Sequence, residues 1–120
     1  MKILIVDDSK VMRALVRRAL RRAGYGNHEV VEAADGNEGH VAFESERPGL
    51  VLSDWNMPGA NGLELLSRVR DGGSGVPFIF VTTEGTPEMR AEAEARGATG
   101  FLIKPFTTDA MEAALAPHLE

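Results

Sequence analysis

Three blocks of this chain are apolar without a break and stop abruptly at a polar residue: Ile3-Leu4-Ile5-Val6 before Asp7, Leu50-Val51-Leu52 before Ser53-Asp54, and Phe78-Ile79-Phe80-Val81 before Thr82. A strand with one wet face alternates apolar and polar side chains. A run without alternation is covered on both faces, as in a parallel sheet flanked by helices. Stretches of helical character separate the blocks, so strands and helices alternate along the chain. That alternation predicts an α/β fold built on a parallel sheet.

The other elements follow from local signals. Strands are expected at Ile3–Val6, Glu29–Ala33, Leu50–Ser53, Phe78–Thr82 and Phe101–Ile103. Met12, Leu15, Val16, Ala19, Leu20 and Ala23 recur at helical spacing from Lys10, and Gly24 stands where a helix stop belongs. Asp35 with Glu38, and Asn61 with Glu64, have capping-box spacing. They open helices running to about Glu46, where Pro48 and Gly49 follow, and through Val69, where the loop Asp71–Gly75 follows. Thr86-Pro87 pairs an N-cap with proline at the first helical position. Thr107 or Thr108 caps the last helix, to about Leu115. Met89 to Arg96 alternates small and charged residues with a period of two, as a strand would. Its residues are nonetheless strong helix formers between a Thr-Pro start and Gly97, which predicts a helix anchored mostly by alanines. Five strands and five helices with right-handed crossovers make a doubly wound sheet of order 2-1-3-4-5, the flavodoxin-like arrangement, with ligand chemistry at the carboxyl ends of the strands.

Bulk properties narrow the function. The chain has 120 residues, enough for one domain over 1–120 with a real core. The net charge of -5 argues against direct nucleic-acid binding through phosphate attraction. There is no cysteine, hence no disulfide and no thiolate metal site. The apolar run at the N-terminus is too short for a signal peptide or for membrane insertion, and the expected location is the cytoplasm.

The expected sheet brings an unusual set of residues together. Strand one ends in Asp7-Asp8, strand three in Asp54, strand four in Thr82-Thr83 and strand five in Lys104-Pro105. Three carboxylates a few ångströms apart repel, and burial sharpens the repulsion. One lysine does not balance them. Either a proton is retained or a divalent cation is held, and a cluster of hard oxygens suits Mg²⁺. The backbone carbonyl of Asn56 is a further candidate ligand. A cation there would also neutralise an incoming phosphoryl group, which makes Asp54 a candidate nucleophile, with Lys104 and Thr82 placed to hold phosphoryl oxygens.

Four segments carry a family resemblance: IVDDS at the end of strand one, SDWNMPGANGLELL around Asp54, FVTTEG after strand four and GATGFLIKPF near the end. In this order and spacing they resemble the response-regulator receiver domains of two-component signalling, most of all the chemotaxis type, over essentially the whole chain. The resemblance implies that Asp54 is the phosphoacceptor. It implies that Asp8, Asp54 and the Asn56 carbonyl ligate Mg²⁺ directly and Asp7 through water. Lys104 would contact the phosphoryl group, Thr82 and Phe101 would form the switch pair, and Asn56 and Glu84 would tune dephosphorylation. Such a domain catalyses its own phosphorylation and dephosphorylation, yet is chiefly a signalling switch. The implied partners are a histidine kinase or histidine phosphotransfer protein and an output protein at the face of helix four, strand five and helix five. A phosphorelay intermediate, a receiver cut from a longer regulator and an unphosphorylated interaction module are the alternatives. Two positions depart from the pattern: Phe101 replaces a tyrosine, and Asn61 stands where aspartate is common.

Each feature has a simpler reading. Asp7-Asp8-Ser9 reads as helix capping, Asp54 as a turn residue, Thr82 as a β-branched strand end and Lys104 as a solvated lysine. Trp55 reads as a core-edge aromatic or an exposed contact. Arg13, Arg17, Arg18, Arg21 and Arg22 read as a solvated face or as a docking face for a phosphodonor. His28, His40 and His118 match no ligand spacing. An FMN carrier would need a Ser/Thr/Gly loop after strand one, where Asp7-Asp8 repels phosphate. An Asp-nucleophile phosphatase would need Asp-x-Asp there. Convergence at one end of one sheet favours the receiver.

Overall fold

A computed structural model describes residues 1–119. The strands are β1 (Lys2–Val6), β2 (Glu29–Ala33), β3 (Leu50–Ser53), β4 (Phe78–Thr82) and β5 (Gly100–Ile103). They form one parallel sheet in the order β2-β1-β3-β4-β5. The helices are α1 (Lys10–Arg22), α2 (Gly36–Glu46), α3 (Gly62–Asp71), α4 (Pro87–Ala95) and α5 (Thr108–Leu115).

The unbroken apolar runs have the expected cause. Alternate residues of one strand enter two separate cores. Leu4, Val6, Val51, Phe78 and Phe80 pack with Phe43 of α2, Leu65, Leu66 and Val69 of α3 and Ala93 of α4. Ile3, Ile5, Leu50, Leu52, Ile79, Val81 and Leu102 pack with Val16 and Leu20 of α1 and Met111 and Leu115 of α5. The edge strand β2 is covered less, and accordingly reads weakest in the sequence.

Caps set the helix ends. Ser9 opens α1, Thr86 opens α4 with Pro87 behind it, and Thr107 rather than Thr108 opens α5. Asn61 and Glu64 form a complete capping box, so asparagine serves there as a cap. At α2 the box is half made: Asp35 accepts from the Glu38 amide, while the Glu38 side chain reaches the Ala34 amide instead of that of Asp35. α2 ends at Arg47, a non-glycine residue in the left-handed region at φ 49°, and Pro48 directly beyond it cannot continue the helix. Met89 to Arg96 is helical despite its period of two, with only Ala93 of α4 buried. Among the described residues, no helix is long and apolar enough to cross a membrane.

Candidate functional site

Backbone pairing continues one residue beyond three strands. The Asp7 amide donates to the Ala33 carbonyl (3.1 Å), the Asp54 amide to that of Val6 (2.8 Å) and the Lys104 amide to that of Thr82 (2.8 Å). These bonds fix Asp7, Asp54 and Lys104 on the rigid end of the sheet. The Lys104–Pro105 peptide bond that follows is cis.

Lys104 bridges two carboxylates. Its Nζ lies 3.1 Å from Asp7 Oδ2 and 3.3 Å from Asp54 Oδ2. The side chains are 9%, 5% and 14% exposed for Lys104, Asp7 and Asp54, so this is a network largely shielded from water. Removing its cation would leave two shielded carboxylates unpaired, which is strongly unfavourable. The other carboxylate oxygens are held as well. Asp7 Oδ1 accepts the Ser9 amide at 2.9 Å, and Asp54 Oδ1 accepts the Trp55 amide at 2.7 Å. Asp7 therefore orders the entrance to α1 while Ser9 acts as the cap.

Asp8 is exposed, and Asp7, Asp8 and Asp54 each place a carboxylate oxygen within 4.8 Å of the others. This donor set of hard anionic oxygens, open on the Asp8 side, fits a hard divalent cation such as Mg²⁺. Next to it an open groove is lined by Asp8, Asn56, Met57, Pro58, Gly59 and Asn61. Asn56 and Glu84 are exposed beside the site.

Thr82 is buried at the end of β4, where its Oγ1 is 3.5 Å from the Glu84 amide. Phe80 and Phe101 are paired in register, with ring centroids 5.3 Å apart. Trp55 lies 4.9 Å from Phe80 and 6.1 Å from Phe101. Trp55 is a core aromatic, not an exposed contact.

Profile comparison decides the family: the description "Response regulator receiver domain" matches residues 3–116. The chain belongs to the response-regulator receiver family. This receiver is of the CheY type. It is 37% identical over 115 residues to "Chemotaxis protein CheY1" of Helicobacter pylori, covering 93% of this chain and 91% of that protein. The structure of Vibrio cholerae chemotaxis protein CheY4 matches with TM-score 0.87 and 38% identity over 98% of both chains. A CheY-like receiver domain protein from Methanospirillum hungatei matches with TM-score 0.86 and 29% identity, over 98% of this chain and 92% of that one.

Three contributors escaped the sequence reading. A Cβ on Gly62 would collide with the Asp54 carbonyl oxygen, so glycine is what lets the loop after Asp54 close onto α3. Arg13 donates to the Asp7 carbonyl at 2.6 Å. Arg90 contacts Phe101. The Asn61-Gly62 pair carried a signal for the first, whereas the two arginines looked like ordinary surface charge.

Proposed function

We propose that this receiver is a phosphoacceptor switch, taking a phosphoryl group onto Asp54 from the phosphohistidine of a histidine kinase or histidine phosphotransfer protein. The observation that carries this reading is the Lys104 ammonium shared by Asp7 and Asp54 at the carboxyl end of the sheet. A carboxylate oxygen of Asp54 forms the new bond to phosphorus. The phosphorus–nitrogen bond of the donor breaks, and the imidazole leaves with the electron pair. The Trp55 amide keeps the Asp54 carboxylate oriented. Lys104, already 3.3 Å from Asp54, turns to the phosphoryl oxygens. Mg²⁺, when bound, would be held directly by Asp8, Asp54 and the Asn56 carbonyl and through water by Asp7, and would neutralise charge on the transferred group. Asn56 and Glu84 flank the site, where they would govern the approach of the water that hydrolyses the acyl phosphate.

The switch follows from contacts present only after transfer. The phosphoryl group draws the Thr82 hydroxyl toward Asp54, and Phe101 turns into the space released. The face formed by α4, β5 and α5 then changes affinity for an output protein. The names of the relatives favour a chemotaxis-like role for residues 1–120 acting as one receiver domain, and the reading places that domain in the cytoplasm with its phosphodonor. One observation favours a second reading, relay to or from a phosphotransfer protein: a cavity of about 290 Å³ beside Lys104, whose lining includes Met12, Leu15, Arg18, Arg22 and Phe106.

The test records Trp55 fluorescence during Mg²⁺ titration and then after acetyl phosphate, with intact mass as the second readout. A saturable metal response, a donor-dependent change and a phosphoryl mass increment are expected, the last two absent in Asp54→Asn. A normal phosphorylation yield in Asp54→Asn would sink the assignment. No metal response and no mass change in the wild type would make the domain an unphosphorylated interaction module.

A further inference from the structure

The guanidinium carbon of Arg90 lies 5.0 Å from the centroid of the Phe101 ring. The Arg90 Nε also donates to the Gly85 carbonyl at 3.0 Å. A Cβ at Gly85 would come within 3.1 Å of an Arg90 nitrogen and 2.5 Å of Ile103 Cδ1, so Arg90 packs closely over this loop and a side chain at Gly85 would displace the ends of both residues. Phe101 itself is half-buried. It touches the buried Phe80 and Trp55 as well as the exposed Arg90.

The two ends of α4 are held differently. At its C-terminal end, Arg70 donates twice to the Gly97 carbonyl (3.1 and 2.7 Å) and Arg96 donates to Ser67 Oγ (2.8 Å), tying the helix to α3. At its N-terminal end the cap is internal, from the Met89 amide to Thr86 Oγ1. Among the described residues, the Arg90 contact with Phe101 is the charged link from that half to β5.

We propose that Arg90 is a positioning residue that couples Phe101 to α4, making the N-terminal half of the helix follow the ring while the C-terminal end serves as the pivot. A guanidinium is attracted to an aromatic face by the ring quadrupole. Phe101 has no hydroxyl, so its π face is its handle on a polar neighbour. If the ring turns inward beside Thr82, Arg90 either loses that face or carries α4 with it. The inference rests on the receiver reading for the part Phe101 plays in switching. The contact itself belongs to the unphosphorylated chain.

Hydrogen–deuterium exchange of the full chain, without a phosphodonor, tests it. Arg90→Met should speed exchange of the α4 amides roughly two- to fivefold, the factor expected from an exposed cation–π contact, and should shift Trp55 emission. Arg90→Lys should recover part of the effect. In a Phe101→Leu background, Arg90→Met should add no further change. Equal acceleration in both backgrounds, or none in either, overturns the coupling. A second arm adds Mg²⁺ and acetyl phosphate: Arg90→Met should keep a normal phosphorylation yield and lose the donor-induced change in α4 exchange. A normal yield with an undiminished α4 response also overturns the coupling. No yield in the wild type overturns the phosphoacceptor reading instead, and the donor-free arm then decides the role of Arg90.

Discussion

Helices α3 and α4 cover the same face of the sheet and are nearly equal in length, 10 and 9 residues. α3 buries Leu63, Leu65, Leu66 and Val69; α4 buries Ala93 alone from its run of Glu, Arg and Ala. Each large apolar side chain is worth roughly 1.5–3 kcal/mol on burial, so α3 is part of the frame and α4 is lightly held. The site follows the same division. Asp54 sits on the loop that Gly62 closes onto α3, a fixed place for the proposed phosphoacceptor. Phe101 packs in the same cluster as Met89 and Ala93 of α4, where the proposed switch would move. A receiver needs both regions: a fixed place for chemistry and a cheap place for response.

The largest expected effect breaks the frame. Leu66→Ala should cost about 2–5 kcal/mol in urea unfolding, since Leu66 is fully buried and its truncation leaves a cavity in the core. Met89→Ala in α4 should cost about 1 kcal/mol or less, because Met89 is only half-buried. Similar losses at the two positions would refute the contrast between the helices.

The caps sharpen it. Asn61→Ala and Thr86→Ala remove the same kind of hydrogen bond from α3 and α4, each worth about 1 kcal/mol. The loss at Asn61 should lower the global unfolding midpoint. The loss at Thr86 should appear as faster amide exchange confined to α4, with the midpoint nearly unchanged. A matching fall in both midpoints would mean that α4 unfolds with the core.

The smallest effect concerns the other face. Glu32 joins Arg13 and Arg17 of α1 at 2.8 and 2.7 Å, an ion-pair tie between helix and sheet, whereas the charged link of α4 to the sheet is the contact of Arg90 with the Phe101 ring. Burial pushes the Glu32 carboxyl up, but the hydrogen bonds from Arg17 and Arg13 outweigh it and hold the group below the ordinary carboxylate range. A carboxylate with a lowered folded value stabilises the protein above its unfolded value, and this contribution is lost as pH falls through the folded value. Mild acid should therefore remove a small stabilisation in the wild type that Glu32→Gln already lacks. Identical acid profiles for the two proteins would show that the tie is solvent-screened to nothing.

The amino-acid sequence determined the strand runs, the helix caps, the strand order and the gathering of Asp7, Asp8, Asp54, Thr82 and Lys104 at one end of the sheet. Those features follow from residue type and from rules of pairing and handedness that act over a few neighbours or over whole elements. It carried the weak, alanine-based anchoring of α4 as well, because burial capacity is a property of side-chain size. Tertiary structure alone decided what each group touches: Lys104 between two carboxylates, Arg13 on the Asp7 carbonyl, Trp55 turned into the core, Gly62 against the Asp54 carbonyl and Arg90 over Phe101. Such contacts join residues distant in the chain, and a charged side chain at helical spacing looks the same in sequence whether it meets water or an aromatic ring.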